Sequence, residues 1–167
     1  NTKQGIFGNY TENIPNKKGV VLCCNHTSLS DIILLGITCN RQIYFMAKKE
    51  LFKIPIVAQL VKLLGAFPVD RSGNDVGAVK KAISLLEDKK CMGIFPQGHR
   101  FAGENPRNTK TKNGVALIAT KVGADILPCY IWRKKNKFRL FCRTYVIIGD
   151  IIPFESLNFD PDGSGEY

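Results

Sequence analysis

The chain has 167 residues, 44% of them hydrophobic and 23% charged, the size and balance of one ordinary globular domain, which excludes disordered, collagen-like and coiled-coil classes and leaves no room for two catalytic domains. Lys and Arg number 24 against 14 for Asp and Glu, a net charge of +10, so the expected partner is an anion: nucleic acid, a lipid surface or a phosphorylated metabolite.

Apolar runs alternate with amphipathic ones, the pattern of an α/β domain. Residues 19–25 predict a short buried strand, 28–38 a helix and 42–46 a second strand. Pro55 suits the first position of a helix over 55–64, where its missing N–H costs nothing. That helix reads by default as a core helix, the alternative being an interfacial helix with Lys53 and Lys62 at lipid headgroups. Residues 66–69 predict a third strand, and Val76, Val79, Ile83 and Leu86 recur at helical spacing, so 74–88 predict an amphipathic helix over the sheet. A strand at 91–95 leads into a Gly-, Pro- and Asn-rich loop over 96–111, then a helix over 113–122 and strands at 126–132 and 139–148.

The charge is concentrated. Between Arg107 and Arg143 stand ten basic residues and one acid, Asp125, so this stretch carries +9 and the remaining 130 residues only +1. A solvated basic face and a surface that meets phosphates are the two readings. Six cysteines form no C-x-x-C pair and mostly sit in apolar runs, where a reduced thiol behaves as a small hydrophobe; no metal site and a reducing compartment are expected. No stretch approaches the roughly 18 apolar residues of a membrane span. The first residue is Asn1 rather than Met, so the expectation is a fragment whose N-terminal segment, with any anchor on it, lies outside this sequence. The end, 160–167, reads as a loop.

Two predicted strands run into polar residues at their carboxyl ends, Asn25-His26 after the first and Gln97-Gly98-His99-Arg100 after the fourth. Ligands of open α/β sheets bind outside the carboxyl ends of strands, so these loops are candidates to share a cleft. Asp31 follows His26 by five residues. A carboxylate that fixes the ring tautomer and stabilises the imidazolium is what a histidine base needs. Five residues on a regular helix stand about 140° apart, so the pair meets only if His26 lies before the helix and Asp31 in its first turns. From spacing alone, a helix N-cap beside a satisfied histidine is equally open. Arg71, after Gly65-Ala66-Phe67-Pro68-Val69-Asp70, and Arg100, after Phe95-Pro96-Gln97-Gly98-His99, each stand just beyond a strand end, where a guanidinium can bind a phosphate through two parallel hydrogen bonds; a plain surface charge is the bland reading of either.

In order, Asn-His-x4-Asp, Gly-x-Phe-Pro-Val-Asp-Arg, Phe-Pro-x-Gly-x-Arg and a proline in an apolar strand (Ile126-Leu127-Pro128) resemble the glycerophospholipid acyltransferase family, in particular its bacterial 1-acyl-sn-glycerol-3-phosphate acyltransferases. The resemblance implies a single acyltransferase domain over 1–167, its motifs within 13–154, with a mixed, mostly parallel sheet flanked by helices. It implies direct acyl transfer from acyl-CoA or acyl carrier protein to the hydroxyl of lysophosphatidic acid, giving phosphatidic acid, with no covalent acyl-enzyme and no cofactor. His26 would be the general base and Asp31 its orienting partner; Arg71 and Arg100, with Lys48 and Lys112, would hold the acceptor phosphate, and Phe95, Pro96, Gln97, Gly98 and His99 would form the acceptor loop. An anionic membrane surface is the implied partner and its cytoplasmic face the implied location, reached peripherally or through an N-terminal segment outside this sequence; no nucleic acid is expected. Most of the 107–143 basic run would face the lipid.

The third motif departs from the family pattern, with Gln97 where glutamate is usual and His99 where threonine or serine is usual. Glutamine keeps the reach but not the charge, so it can bind a glycerol hydroxyl or brace an arginine; His99 reads as a loop cap or as an addition to the phosphate site. The alternatives are acylation of another acceptor (glycerol-3-phosphate or another lysophospholipid), a non-catalytic basic module for phosphates or nucleic acid, and a nucleophile route through Cys24 or Ser28 with His26 as base.

Overall fold

The computed structural model describes residues 14–15, 17–70, 75–137 and 143–157. In chain order the elements are β1 (Val20–Cys24), α1 (Ser30–Thr38), β2 (Ile43–Lys48), α2 (Pro55–Leu63), β3 (Ala66–Val69), α3 (Val76–Glu87), β4 (Cys91–Ile94), α4 (Gly114–Val122), β5 (Asp125–Arg133) and β6 (Thr144–Ile148). They form one six-stranded sheet in the order β3-β2-β4-β1-β5-β6. All pairings are parallel except that of β6 with β5. The expected mixed, mostly parallel sheet is what forms.

The sheet is buried on both faces, which is why β1 and β4 read as unbroken apolar runs rather than as alternating strands. Val20, Leu22 and Cys24 of β1, Ile43, Phe45 and Ala47 of β2, and Leu127, Cys129 and Ile131 of β5 pack toward Leu35 of α1. Val21 and Met92 point the other way, onto Ala82, Leu85 and Leu86 of α3 and Ile118 of α4. Each fully buried Leu or Ile contributes about 1.5–3 kcal/mol of transfer free energy.

Local signals explain most boundaries. Pro55 occupies the first turn of α2. The Asp75 carboxylate accepts the N–H of Ala78 at 2.9 Å to start α3, and Gly123, at φ 61°, closes α4 in the left-handed region. β5 extends one residue beyond the predicted 126–132 at each end, because Asp125 pairs with Val20 of β1 and Arg133 with Thr144 of β6. Of the predicted strand 139–148, residues 144–148 are strand and 139–142 lie outside the described residues.

One expectation is overturned. α2 is not a core helix: Ala58 is its one buried residue, while Ile56 (83% exposed), Leu60 and Leu63 (79%) face outward. On α1, Leu29, Ile33 and Ile37 are exposed at four-residue spacing, so both helices turn apolar side chains outward. Among the described residues no helix is long and apolar enough to cross a membrane.

Candidate active site

β1 and β4 lie side by side and parallel, so the loops that follow them emerge together at the carboxyl end of the sheet. Asn25 continues the β1–β5 ladder with its side chain: Ile131 N–H donates to its Oδ1 at 2.7 Å, and its Nδ2 donates to Ile131 O at 3.1 Å. The clamp fixes where His26 begins. The His26 N–H donates to Gln97 Oε1 at 2.7 Å, and its carbonyl accepts the Phe101 N–H at 2.9 Å, so the loop after β4 holds its backbone on both sides. Its ring stacks on Phe95, centroids 4.1 Å apart and planes 18° from parallel, and Phe95 in turn stacks on Phe45 at 5.9 Å.

His26 precedes α1 and Asp31 lies in its first turn, which meets the spacing condition. His26 Nδ1 and Asp31 Oδ2 are 2.9 Å apart. The same oxygen accepts the N–H groups of Thr27 (2.7 Å) and Ser28 (2.8 Å), so the carboxylate caps the turn as well as facing the ring. The N-cap reading is not what forms: Leu29 at the cap position makes no side-chain cap bond, and Asp31 instead holds the turn before the helix. Asp31 is fully buried. Burial alone would raise its pKa, but the hydrogen bonds from His26, from the Ser28 and Thr27 backbone and from Arg133 more than reverse this and hold it below the usual carboxylate range. An ionised Asp31 only accepts, so Nδ1 is the donor, and in the neutral tautomer this selects the lone pair falls on Nε2.

Arg133 is the residue that sequence reasoning missed. Counted with Lys134 and Lys135 as part of a basic surface, it is instead 2% exposed, its Nη1 donating to Asp31 Oδ1 and Thr27 Oγ1 and its Nη2 to Ser30 Oγ at 3.0 Å. Strand periodicity carries the signal: Leu127, Cys129, Ile131 and Arg133 alternate, so the arginine inherits the inward face of β5.

Gln97 is buried and uses both ends of its amide, Oε1 on the His26 N–H and Nε2 on Thr109 Oγ1 at 2.6 Å. It thereby fixes the backbone of His26. Pro96 accepts the Lys112 N–H at 2.8 Å, which closes the loop. Gly98, at φ 72°, lies under the stem of Lys112, and its left-handed conformation calls for glycine. His99 is exposed, its ring tilted against Phe101.

The expected phosphate ligands are only partly brought together. Arg100 is exposed in the loop that holds His26, and Lys112 reaches the same loop. Lys48 ends β2, beyond β4, and pairs with Glu50 at 3.8 Å. Arg71 lies outside the described residues. A groove of about 730 Å³ opens beside Gly98 and Lys112 on the α3/α4 face, its apolar wall formed by Met46, Val69, Val79 and Leu117.

The nucleophile route finds little support. Burial pushes the Cys24 thiol well above its ordinary pKa, against a thiolate, and Ser28 Oγ accepts from the N–H and Oγ of Ser30 while His26 Nδ1 faces Asp31. Cys23 and Cys91, each raised to about 11, and Cys39, raised to about 12, are free thiols held neutral by burial, as expected of small hydrophobes. Cys142 lies outside the described residues.

A family model described as Acyltransferase matches residues 8–132. The chain is 37% identical over 118 residues to 1-acyl-sn-glycerol-3-phosphate acyltransferase of Bacillus subtilis, covering 70% of this chain and 57% of the relative. It is 32% identical over 130 residues to the protein of the same name from Borreliella burgdorferi, covering 77% and 51%. Among solved structures, that of the 1-acyl-sn-glycerophosphate (LPA) acyltransferase PlsC from Thermotoga maritima superposes with a TM-score of 0.67 at 27% identity, over 90% of this chain and 62% of that one. The chain thus spans about half the length of the curated relatives it matches.

Proposed function

The chain belongs to the acyltransferase family, and from that premise we propose that it transfers a fatty acyl group from an acyl thioester to the free hydroxyl of 1-acyl-glycerol-3-phosphate, giving phosphatidic acid. The observation that carries the reading is the buried His26–Asp31 pair, with Nδ1 facing the carboxylate at 2.9 Å, which leaves Nε2 for the substrate. In the forward step Nε2 takes the hydroxyl proton as the hydroxyl oxygen bonds to the thioester carbonyl carbon. Collapse of the tetrahedral adduct breaks the C–S bond, and the imidazolium returns its proton to the departing thiolate. Ester and free thiol are formed and nothing is oxidised or reduced, so the chemistry asks for no cofactor; acyl-CoA or acyl carrier protein is the co-substrate. Asp31 stabilises the transient imidazolium, as general-base catalysis requires.

Arg100 and Lys112 are the phosphate ligands of this reading, joined by Arg71 and Lys48, and Phe95 to His99 form the acceptor loop. The apolar groove beside Gly98 is the candidate bed for an acyl chain. An anionic bilayer surface, on its cytoplasmic face, is the site from which the lipid substrate is taken. The outward apolar faces of α1 and α2, with Lys53 and Lys62 flanking the second, support that contact better than a nucleic-acid partner.

The test is release of free thiol from acyl-CoA or acyl carrier protein in the presence of lysophosphatidate. His26→Ala should lower kcat by about 100-fold or more. Activity that persists in this variant removes the general-base assignment, and lipid binding without turnover by the native chain favours the non-catalytic module. Arg100→Ala should raise the KM for lysophosphatidate more than that for the thioester; equal effects count against a phosphate ligand.

A further inference from the structure

Asp31 divides its two oxygens. Oδ2 takes His26 and two backbone N–H groups, while Oδ1 takes Arg133, whose guanidinium also reaches Thr27 and Ser30. Arg133 is too buried to touch a substrate, at 2% exposure. Its fork bridges oxygens on the turn and on α1 that a lysine ammonium could not span together, and so ties the carboxyl end of β5 to the start of α1.

The charge balance gives this tie a consequence. While the imidazole is neutral, Asp31 and Arg133 cancel. Without the guanidinium, the buried carboxylate would have only the imidazole to neutralise it, and the ring would be protonated before a substrate arrived, which removes the base. Other groups around the carboxylate do not replace it. From β1 the neighbour is Cys24, a thiol raised by burial, and the loop after β4 presents to His26 the uncharged Phe95 and Gln97.

We propose that Arg133 is a positioning residue of the dyad: it anchors Asp31 Oδ1 so that Oδ2 meets His26, and it keeps the imidazole an unprotonated base until a hydroxyl is present. This rests on the general-base reading above.

The chain has only two histidines, so imidazole 15N spectra resolve His26, assigned by the signals lost in His26→Gln. In Arg133→Met, the His26 titration midpoint and the acid limb of kcat/KM should both move up by about one pH unit, with kcat at neutral pH down about tenfold and both KM values within about twofold. Arg133→Lys should restore the midpoint most of the way. A folded Arg133→Met variant with an unmoved midpoint, or a Lys variant no better than Met, overturns the proposal. Where both variants fail to fold, the native protein itself decides: Arg133 should show separate, slowly exchanging Nη signals that shift as His26 titrates, and a single averaged signal blind to that titration overturns it. A coupled His26–Arg133 titration in a chain that turns over no thioester would sink the acyl-transfer reading alone.

Discussion

At Gln97 a change of one atom tests what the loop after β4 does. Oε1 accepts the His26 N–H, a task glutamate performs equally well, while Nε2 donates to Thr109 Oγ1, whose own proton goes to Pro106 O at 2.7 Å. In Gln97→Glu the second carboxylate oxygen must accept from Thr109, so Pro106 O keeps only the Thr109 N–H at 3.2 Å and a buried carboxylate is desolvated. The expected cost is about 1–3 kcal/mol in urea denaturation, with kcat kept within about tenfold because the His26 backbone stays held. A loss of kcat comparable to that of His26→Ala, in a stably folded variant, would show that the amide does more than position. The His26–Asp31 pair was legible from spacing as one of two open readings, because the motif is local in sequence. Arg133 was not, since sequence neighbours made it part of a basic run, whereas the two-residue period of β5 decides which way it points.

At the scale of elements, the carboxyl ends of β1 and β4 were correctly expected to bring the two polar loops together. Their adjacency in the sheet was not readable, because strand order depends on long-range pairing that no local pattern encodes. The aromatic column beneath the dyad is one such long-range product, with Phe45 from β2 and Phe95 from the end of β4 supporting the His26 ring. It needs Gly93: a Cβ there would lie 2.3 Å from Phe45 Cε1 and 2.8 Å from Ile43 Cγ2. Gly93→Ala must push the ring aside, and overpacking of this kind costs about 1–3 kcal/mol. The expected result is a lower urea midpoint with a smaller loss of kcat; unchanged stability would mean that the column yields freely and does not fix the imidazole plane.

For the whole molecule, the excess charge and the outward apolar faces must be weighed against each other. The basic run over 107–143 is not surface throughout. Arg133 is buried, Arg139 lies outside the described residues, Lys112 closes the loop before α4 and Lys121 stands in the last turn of that helix. The composition made the charge visible, but it could not say that α2 would leave Ile56, Leu60 and Leu63 uncovered, because amphipathic periodicity does not tell whether an apolar stripe faces a core or a bilayer. Full burial of a side chain of this size contributes about 1.5–3 kcal/mol, against about 1 kcal/mol for each lysine near an anionic surface. Ile56 and Leu63 together should therefore outweigh Lys53 and Lys62. Ile56→Asp combined with Leu63→Asp should lower partitioning onto phosphatidylglycerol-containing vesicles more than tenfold while leaving the urea midpoint almost unchanged, both residues being already exposed. Raising salt from about 0.1 to about 1 M shortens the screening length from about 10 to about 3 Å and should remove only the smaller, electrostatic part. If instead salt abolishes binding and the double substitution does not, the contact runs through the scattered lysines, and α2 has no part in it.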